Sequence, residues 1–232
     1  LSKTAFILMR QNPPFNMDYI TATFLLEKIS KKTRIVNNPF AVRNMPEKLY
    51  SIEFLKLMPP TIFTKSIDEI KKFKKKYNNI VIKPTHGYGG KNILFINKNS
   101  SLKKISKYVK KHEHVMAQKF LSQIKHGDKR VFIIGGVIRG AIRRIPMKGS
   151  IVSNIGQGGK AVKTTLTKKE LSIAKIVASD LKKKQIVFAG IDLISNYLTG
   201  DINITSPTGL KNFKDLTGIN LANDIWNYLE KN

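Results

Sequence analysis

Short apolar runs alternate along this chain with longer segments whose apolar residues recur every three or four positions, the periods of strand and helix. Phe6 to Met9 reads as a buried strand stopped by Asn12-Pro13-Pro14, and Arg34 to Asn37 as a second short one. Between them Asp18 is expected to cap a helix to about Ser30, with Ile20, Phe24 and Leu25 on one stripe. A helical pattern runs from Pro39 to Lys56 and restarts at Pro46, where proline suits a first turn. After Pro59-Pro60, Thr61 to Thr64 is a strand, and Ser66 with Glu69 makes a capping box for a helix to about Tyr77. Ile80-Val81-Ile82 is a β-branched run ended by Lys83-Pro84, and Asn92 to Asn97 is its return strand. Ser101 starts a helix to about Lys111, and Val115 to Leu121 is a strand leading to a linker. Lys129 to Ile134 and Val137 to Ile145 form a hairpin around Gly135-Gly136. Pro146 to Lys160 has no period and is expected to be a long mobile loop. Thr167, boxed by Glu170, caps a helix to about Lys184. Strands Phe188 to Ile194 and Leu198 to Ile204 follow, then a turn at Ser206 to Gly209 and a closing helix from Asp215 to Leu229. Hairpins among mixed helices and strands predict an α+β fold rather than a doubly wound parallel sheet.

The 232 residues allow one large domain or two small ones, and 41% apolar with 25% charged residues describes a globular chain. No run approaches the length of a membrane span. Leu1 to Arg10 has too short an apolar stretch for a signal peptide, so the cytoplasm is the expected compartment. Without cysteine, disulfides, thiolate metal sites and cysteine nucleophiles are excluded. The formal charge of +27 raises nucleic acid as a partner. The lysines, however, are spread over most predicted helices, and no zinc knuckle or RNA-binding aromatic motif is present. We read them mainly as solvated faces whose field still attracts polyanions, ATP included.

Two stretches carry candidate chemistry. Lys83-Pro84 leads into a loop with Gly87, Gly89 and Gly90, whose backbone N–H groups beside a lysine suit a polyphosphate. Its spacing is neither a Walker A loop nor a dinucleotide fingerprint, and a plain glycine-rich turn is the alternative. In Gly190 to Ile194, alternation sends Ile191 and Leu193 to one face and Asp192 to the other; in Asp201 to Ile204 it pairs Asp201 with Asn203 opposite Ile202 and Ile204. Two carboxylates and an amide oxygen on one surface suit Mg²⁺ rather than zinc, against the alternative of ordinary polar-out alternation. Acidity here, where nearly every other solvent face is lysine, weakens that alternative. The histidines His86, His112, His114 and His126 fit no zinc spacing, and no nucleophile elbow is present.

Lys48, Lys83, the glycine loop, Gly127-Asp128-Lys129-Arg130, Arg144-Ile145-Pro146, Asp192, and Asp201-x-Asn203 followed by Thr205-Ser206-Pro207-Thr208 form an ordered set. In that order they closely resemble the prokaryotic glutathione synthetases, which are ATP-grasp ligases. The likeness runs from Leu8-Met9-Arg10 through Thr208 into the last helix. Asn-x-Thr-Ser-Pro-Thr is its most specific element, supported by Lys-Pro-x-x-Gly-x-Gly-Gly and Met116-Ala117-Gln118.

The resemblance implies an ATP-grasp fold with ATP between two α+β subdomains, plus the remnant of an amino-terminal α/β domain whose further part would precede residue 1. Residues 1–40 would be that remnant of the substrate domain and 41–120 the small subdomain region. Residues 121–232 would be the large subdomain, with a mobile loop over 147–160. It further implies a ligase using ATP and Mg²⁺, with Mn²⁺ as the alternative ion, to join γ-glutamylcysteine to glycine through an acyl phosphate. Lys48 and Lys83 would neutralise phosphates under Gly87, Gly89 and Gly90, and Gln118, Phe120 and Leu121 would form the adenine hinge. Asp192, Asp201 and Asn203 would hold the metal, while Asp128, Arg130 and Arg144 would serve the reacting centre. A homo-oligomer is implied, and neither a membrane nor a nucleic-acid partner.

Departures from the family pattern include Asp201 in place of glutamate with Gly200 an extra residue before it. His86 stands for aspartate, Gly135 for aspartate, Asn12 and Asn16 for acids, and Val152 and Lys160 for lid arginines. They keep two rivals open, an ATP-grasp ligase with other substrates and a catalytically weak nucleotide- or polyanion-binding homologue.

Overall fold

The computed structural model describes residues 4–231; the first three residues of the expected amino-terminal segment lie outside that range. A parallel pair, β1 (Phe6–Leu8) and β2 (Arg34–Val36), opens the chain. The helix between them, α1 (Met17–Ile29), is capped by Asn16, whose side chain accepts from the Tyr19 amide at 3.1 Å. Asp18, expected as the cap, sits in the first turn, where a carboxylate still favours the positive helix end. The long helical pattern expected from Pro39 is instead α2 (Pro39–Asn44), an irregular stretch, and a 3-10 helix at Tyr50–Leu57. Pro46 starts no α-helix; its carbonyl accepts from the Tyr50 amide, and Glu47 and Lys48 are left on the irregular bend.

A four-stranded antiparallel sheet follows, in the order β3 (Thr61–Thr64), β6 (Val115–Lys119), β4 (Ile80–Pro84), β5 (Leu94–Ile96). The helices α3 (Ile67–Tyr77) and α4 (Leu102–His112) pack Ile70, Phe73, Ile105 and Val109 against Ile80, Ile82, Ile96 and Val115. Ser66 accepts from the Glu69 amide, but the Glu69 carboxylate bonds the Thr64 hydroxyl rather than returning to Ser66, so half of the expected box forms.

The second sheet has five antiparallel strands in the order β11 (Tyr197–Asn203), β10 (Phe188–Ile194), β7 (Asp128–Ile134), β8 (Val137–Ile145), β9 (Lys160–Lys163). Alternation divides its faces. Val131, Ile133, Ile191 and Leu193 pack on α5 (Lys168–Lys183), and Phe132, Ile134 and Phe188 on α6 (Leu210–Thr217) and α7 (Leu221–Lys231). The single closing helix expected over 215–229 is thus two, separated at Gly218, whose φ of 79° ends α6. The expected structureless loop holds a 3-10 turn at Ile155–Gln157 and runs into β9, an edge strand that its lysines hid from the apolar count. The Thr167–Glu170 capping box forms as expected. Met9, Tyr19, Ile35 and Val42 share one core with Val177, Ile191 and Ile202, so the amino-terminal elements pack on the larger sheet.

Candidate active site

Between the two sheets lies a cleft bordered by Lys48, Lys83, the glycine loop, Gln118 to Leu121, Asp128, Arg130, Arg144, Asp192, Asp201 and Asn203. Every residue put forward above for catalysis, nucleotide or metal borders it. Lys83 reaches it from β4 and Lys48 from the irregular bend, and both ammonium groups are buried. They converge on Asp201, at 3.2 Å from Lys48 and 3.4 Å from Lys83. Burial opposes the charge of Asp201, but Lys83 and then Lys48 outweigh it and hold its carboxyl well below the usual range. Lys48 also donates to the Gly87 carbonyl at 2.5 Å, which fixes its head at the glycine loop, and Lys83 to that of Thr199 at 3.1 Å, which ties it to the strand that carries Asp201.

Asp201 owes its position to an irregular register. Ile191 pairs with Ile202 and Leu193 with Leu198, so Thr199, Gly200 and Asp201 bulge opposite Asp192 alone. Gly200 is buried at φ 89°, and a Cβ there would meet Met58 Cε at 2.9 Å and Met116 Sδ at 3.0 Å. The extra residue therefore re-aims its neighbour into the cleft.

Cross-strand pairing builds the second group. Asp128 lies opposite Arg144, and Arg130 opposite Asp192. Arg130 grips Asp192 in a fork at 2.5 and 2.9 Å, while Arg144 donates to both Asp128 oxygens and reaches Asp192 at 2.8 Å. Desolvation of Asp192 is overcome by Arg130 and Arg144, lowering its pKa; burial instead raises that of Asp128 despite Arg144. Lys129, one residue on, points to the other face and pairs with buried Glu170 at 2.6 Å, so it belongs to the α5 interface.

At the far end of the cleft Phe120 stacks edge-on against Phe95, with centroids 4.7 Å apart. The Lys119 and Phe120 amides already donate to Pro60 and Asn79, and Gln118 Nε2 to Thr61. Over the cleft, Gln157 Nε2 donates to the Gly89 carbonyl at 2.7 Å, and Val152 lies where a Cβ on Gly90 would be. Ser153 is buried close enough to Asp128 to favour its charged form. The loop expected to be a lid thus touches the glycine loop and the arginine–aspartate network.

Comparison with known proteins now decides the family. The ATP-grasp domain model of prokaryotic glutathione synthetase matches residues 47–218, and the amino-terminal domain model of the same enzyme matches residues 1–43. The chain belongs to the prokaryotic glutathione synthetase family. It is 41% identical to the glutathione synthetase of Rhodopseudomonas palustris over 229 residues, which is 97% of this chain and 72% of that protein. It is 38% identical to that of Anaplasma centrale, covering 99% of this chain and 74% of the relative. A D-alanine–D-alanine ligase from Bacillus anthracis complexed with ATP superposes with a TM-score of 0.70 at 17% identity, over 98% of this chain and 79% of that one. A D-cycloserine synthetase gives a TM-score of 0.70 at 18% identity, over 89% and 77%. These two show the ATP-grasp fold. Glutathione synthetases of this kind use ATP and a divalent cation, Mg²⁺ in general, to make a carbon–nitrogen bond.

The donor set of this glutathione synthetase family member suits that ion. Among the described residues no three His, Cys, Asp or Glu side chains gather to enclose a metal. Two carboxylates and an amide oxygen are what a Mg²⁺ ion takes when phosphates and water complete its shell. Asn203 donates to the Gly190 and Asp201 carbonyls, which leaves its amide oxygen for a cation. The sequence reading missed Glu47, which borders the cleft and accepts from Thr205 at 2.9 Å. Burial raises its pKa, against Lys48. A lone glutamate beside a lysine in an irregular bend has no periodicity to reveal it. Among the described residues no helix is long and apolar enough to cross a membrane.

Proposed function

We propose that this family member joins γ-glutamylcysteine to glycine in the cytoplasm, cleaving ATP to ADP and phosphate. The observation that carries the reading is the convergence of two buried lysines on Asp201 in the cleft that also holds Asp192. Residues 41–120 and 121–232 act as the two jaws, with 1–40 as part of a substrate domain and 147–160 as the lid. The triphosphate lies between Lys48 and Lys83, under Gly87, Gly89 and Gly90. Phe120 packs on adenine beside Gln118, and backbone recognition falls to Leu121, since the neighbouring amides are engaged. Asp192, Asp201 and Asn203 hold Mg²⁺, which when bound neutralises phosphate charge; Mn²⁺ is the alternative ion.

The dipeptide carboxylate takes the γ-phosphoryl group, and the glycine amine displaces phosphate from the acyl phosphate. Arg130 and Arg144 stabilise the charge that develops on the phosphoryl oxygens and the tetrahedral carbon. Asp128 holds the Arg144 guanidinium in plane, a positioning role. Ser153 and Gln157 keep the lid over the reacting atoms, excluding water. Asp192 shares its oxygens with both arginines, so nucleotide and metal arrival is expected to redistribute these contacts. The excess of lysine serves solubility and attraction of ATP rather than nucleic acid, and the chain works as a homo-oligomer.

Incubation of the chain with γ-glutamylcysteine, glycine, ATP and Mg²⁺ tests the reading. ADP release that needs both amino-acid substrates is expected. Release only with other acceptors would overturn the substrate assignment, and ATP binding without turnover beside salt-sensitive RNA binding would overturn the enzyme.

A further inference from the structure

One buried ion pair lies behind the cleft and takes no part in the chemistry above. Lys129 and Glu170 meet at 2.6 Å between β7 and the first turn of α5, both of them buried. Asp128 and Arg130 border the cleft, so Lys129 between them projects to the α5 side of the strand.

The Lys129 ammonium makes a second bond, to the Thr165 carbonyl at 2.9 Å. Glu170 Oε2 in turn accepts from the Thr167 amide at 2.8 Å, which closes the capping box at the head of α5. The Thr167 hydroxyl donates to Asn196 Oδ1 at 2.6 Å, in the turn that joins β10 to β11. Segments that carry groups of the cleft therefore meet here: the strand with Asp128 and Arg130, the hairpin with Asp192 and Asp201, and the chain leaving the lid.

The chain leaving the lid is the segment that needs a tie. It returns through β9, a strand of 4 residues at the edge of its sheet that pairs with β8 alone. A short edge strand, solvated along one side, opens at little cost. Just beyond it Thr165 is itself exposed, yet its carbonyl is held by Lys129. A side chain of β7 thus fastens the trailing hinge of the lid to the strand whose neighbouring residues the lid covers.

Stability alone does not account for the pair. Two charges taken out of water gain little over apolar residues of similar size. Val131 and Ile133 show that this face of β7 packs apolar side chains against Ile173 of α5. A directional amine does what an apolar side chain does not, which is to set the position of one main-chain carbonyl.

We propose that Lys129 is a positioning residue that registers the trailing hinge of the lid on β7, with Glu170 orienting its ammonium, so that the acyl phosphate meets the amine rather than water. The inference rests on the ligase reading above and adds to it a residue that touches neither nucleotide nor substrate. With the hinge loose, water attacks the acyl phosphate in place of the amine. Phosphate leaves, the dipeptide carboxylate is regenerated, and ADP accumulates without ligated product.

The test compares the full chain with two neutral pairs of different volume, Lys129→Met/Glu170→Gln and Lys129→Leu/Glu170→Met, so that a packing fault in one does not decide the result. Amide exchange in the ligand-free chain is expected to quicken about tenfold over residues 160–166 in both, with α5 beyond its first turn unchanged. In turnover, kcat for ligation should fall about tenfold while KM for ATP stays within about threefold of wild type. ADP released per ligated product should rise from about one to about two or more. Glu170→Gln alone keeps the amine, an acceptor for it and the capping box, and its ratio should stay at about one. Unchanged exchange over residues 160–166, a ratio of about one in both neutral pairs, or equal uncoupling in Glu170→Gln would overturn the proposal. Failure of both neutral pairs to fold would overturn it too, by making the ion pair a requirement of the fold. A wild-type chain that releases no ADP with both amino-acid substrates would instead mark failure of the ligase reading, and the exchange measurement, which needs no substrate, would still judge the tie.

Discussion

Asp201 concentrates the chemistry of this site in one carboxylate, and its surroundings set its behaviour. Its pKa lies below the unfolded value of about 3.9. The sign follows: the stability it contributes is complete above about pH 4, and is lost as pH falls through the still lower folded value. Comparing urea unfolding of wild type and Asp201→Asn should give a difference that is constant from pH 5 to 7 and shrinks below about pH 4. Gly200 serves the same carboxylate through the backbone. Gly200→Ala puts a side chain at φ 89° between two methionines, and about 1–2 kcal/mol of destabilisation is expected from denaturant titration. Deleting Gly200 should abolish most Mg²⁺-dependent turnover, and unchanged activity would show that the bulge does not aim Asp201. At this scale the sequence was informative about residue type and face. Alternation and the family resemblance marked Asp192, Asp201 and Asn203, and all border the cleft. It was silent on partners, because Asp128–Arg144 and Arg130–Asp192 arise from cross-strand register, which composition does not encode.

Elements were legible where a capping side chain or a β-branched run marked them. Thr167 with Glu170, Ser101 and Ile80-Val81-Ile82 begin or build the expected structures. Boundaries failed where two candidates competed. Asn16 and Asp18 both suit a helix start, and the one that bonds the Tyr19 amide wins. The pattern across Gly218 continues the apolar period of α7, yet a left-handed glycine reverses the chain there. In the lid, Gly159 is held against the Ser153 carbonyl, and an added Cβ would approach it to 2.1 Å. Backbone cannot yield as a side-chain end does, so Gly159→Ala should displace the lid from Asp128. The expected readout is ADP release in excess of ligated product, as water reaches the acyl phosphate; a ratio that stays at about one would contradict the lid's role.

For the whole molecule, the +27 charge and the cleft's lysines should make ATP capture depend on ionic strength. KM for ATP is expected to rise severalfold between about 0.05 and 0.5 M salt while kcat changes little. The partition into a four-stranded and a five-stranded sheet was not readable from periods alone, since both are antiparallel and hairpin-rich. Nor was the seat of the amino-terminal elements, which depends on Asn37. Its side chain donates to the Phe188 and Ile204 carbonyls at 2.8 and 2.6 Å and accepts from the Val187 and Phe188 amides at 2.9 Å each. One amide thus stitches the end of β2 to the entry of β10 and the exit of β11. Nicking the bend after α2 with a protease should therefore yield fragments that co-migrate until denatured. Asn37→Ala, which orphans four buried main-chain groups, should lower stability by more than about 3 kcal/mol and let them part.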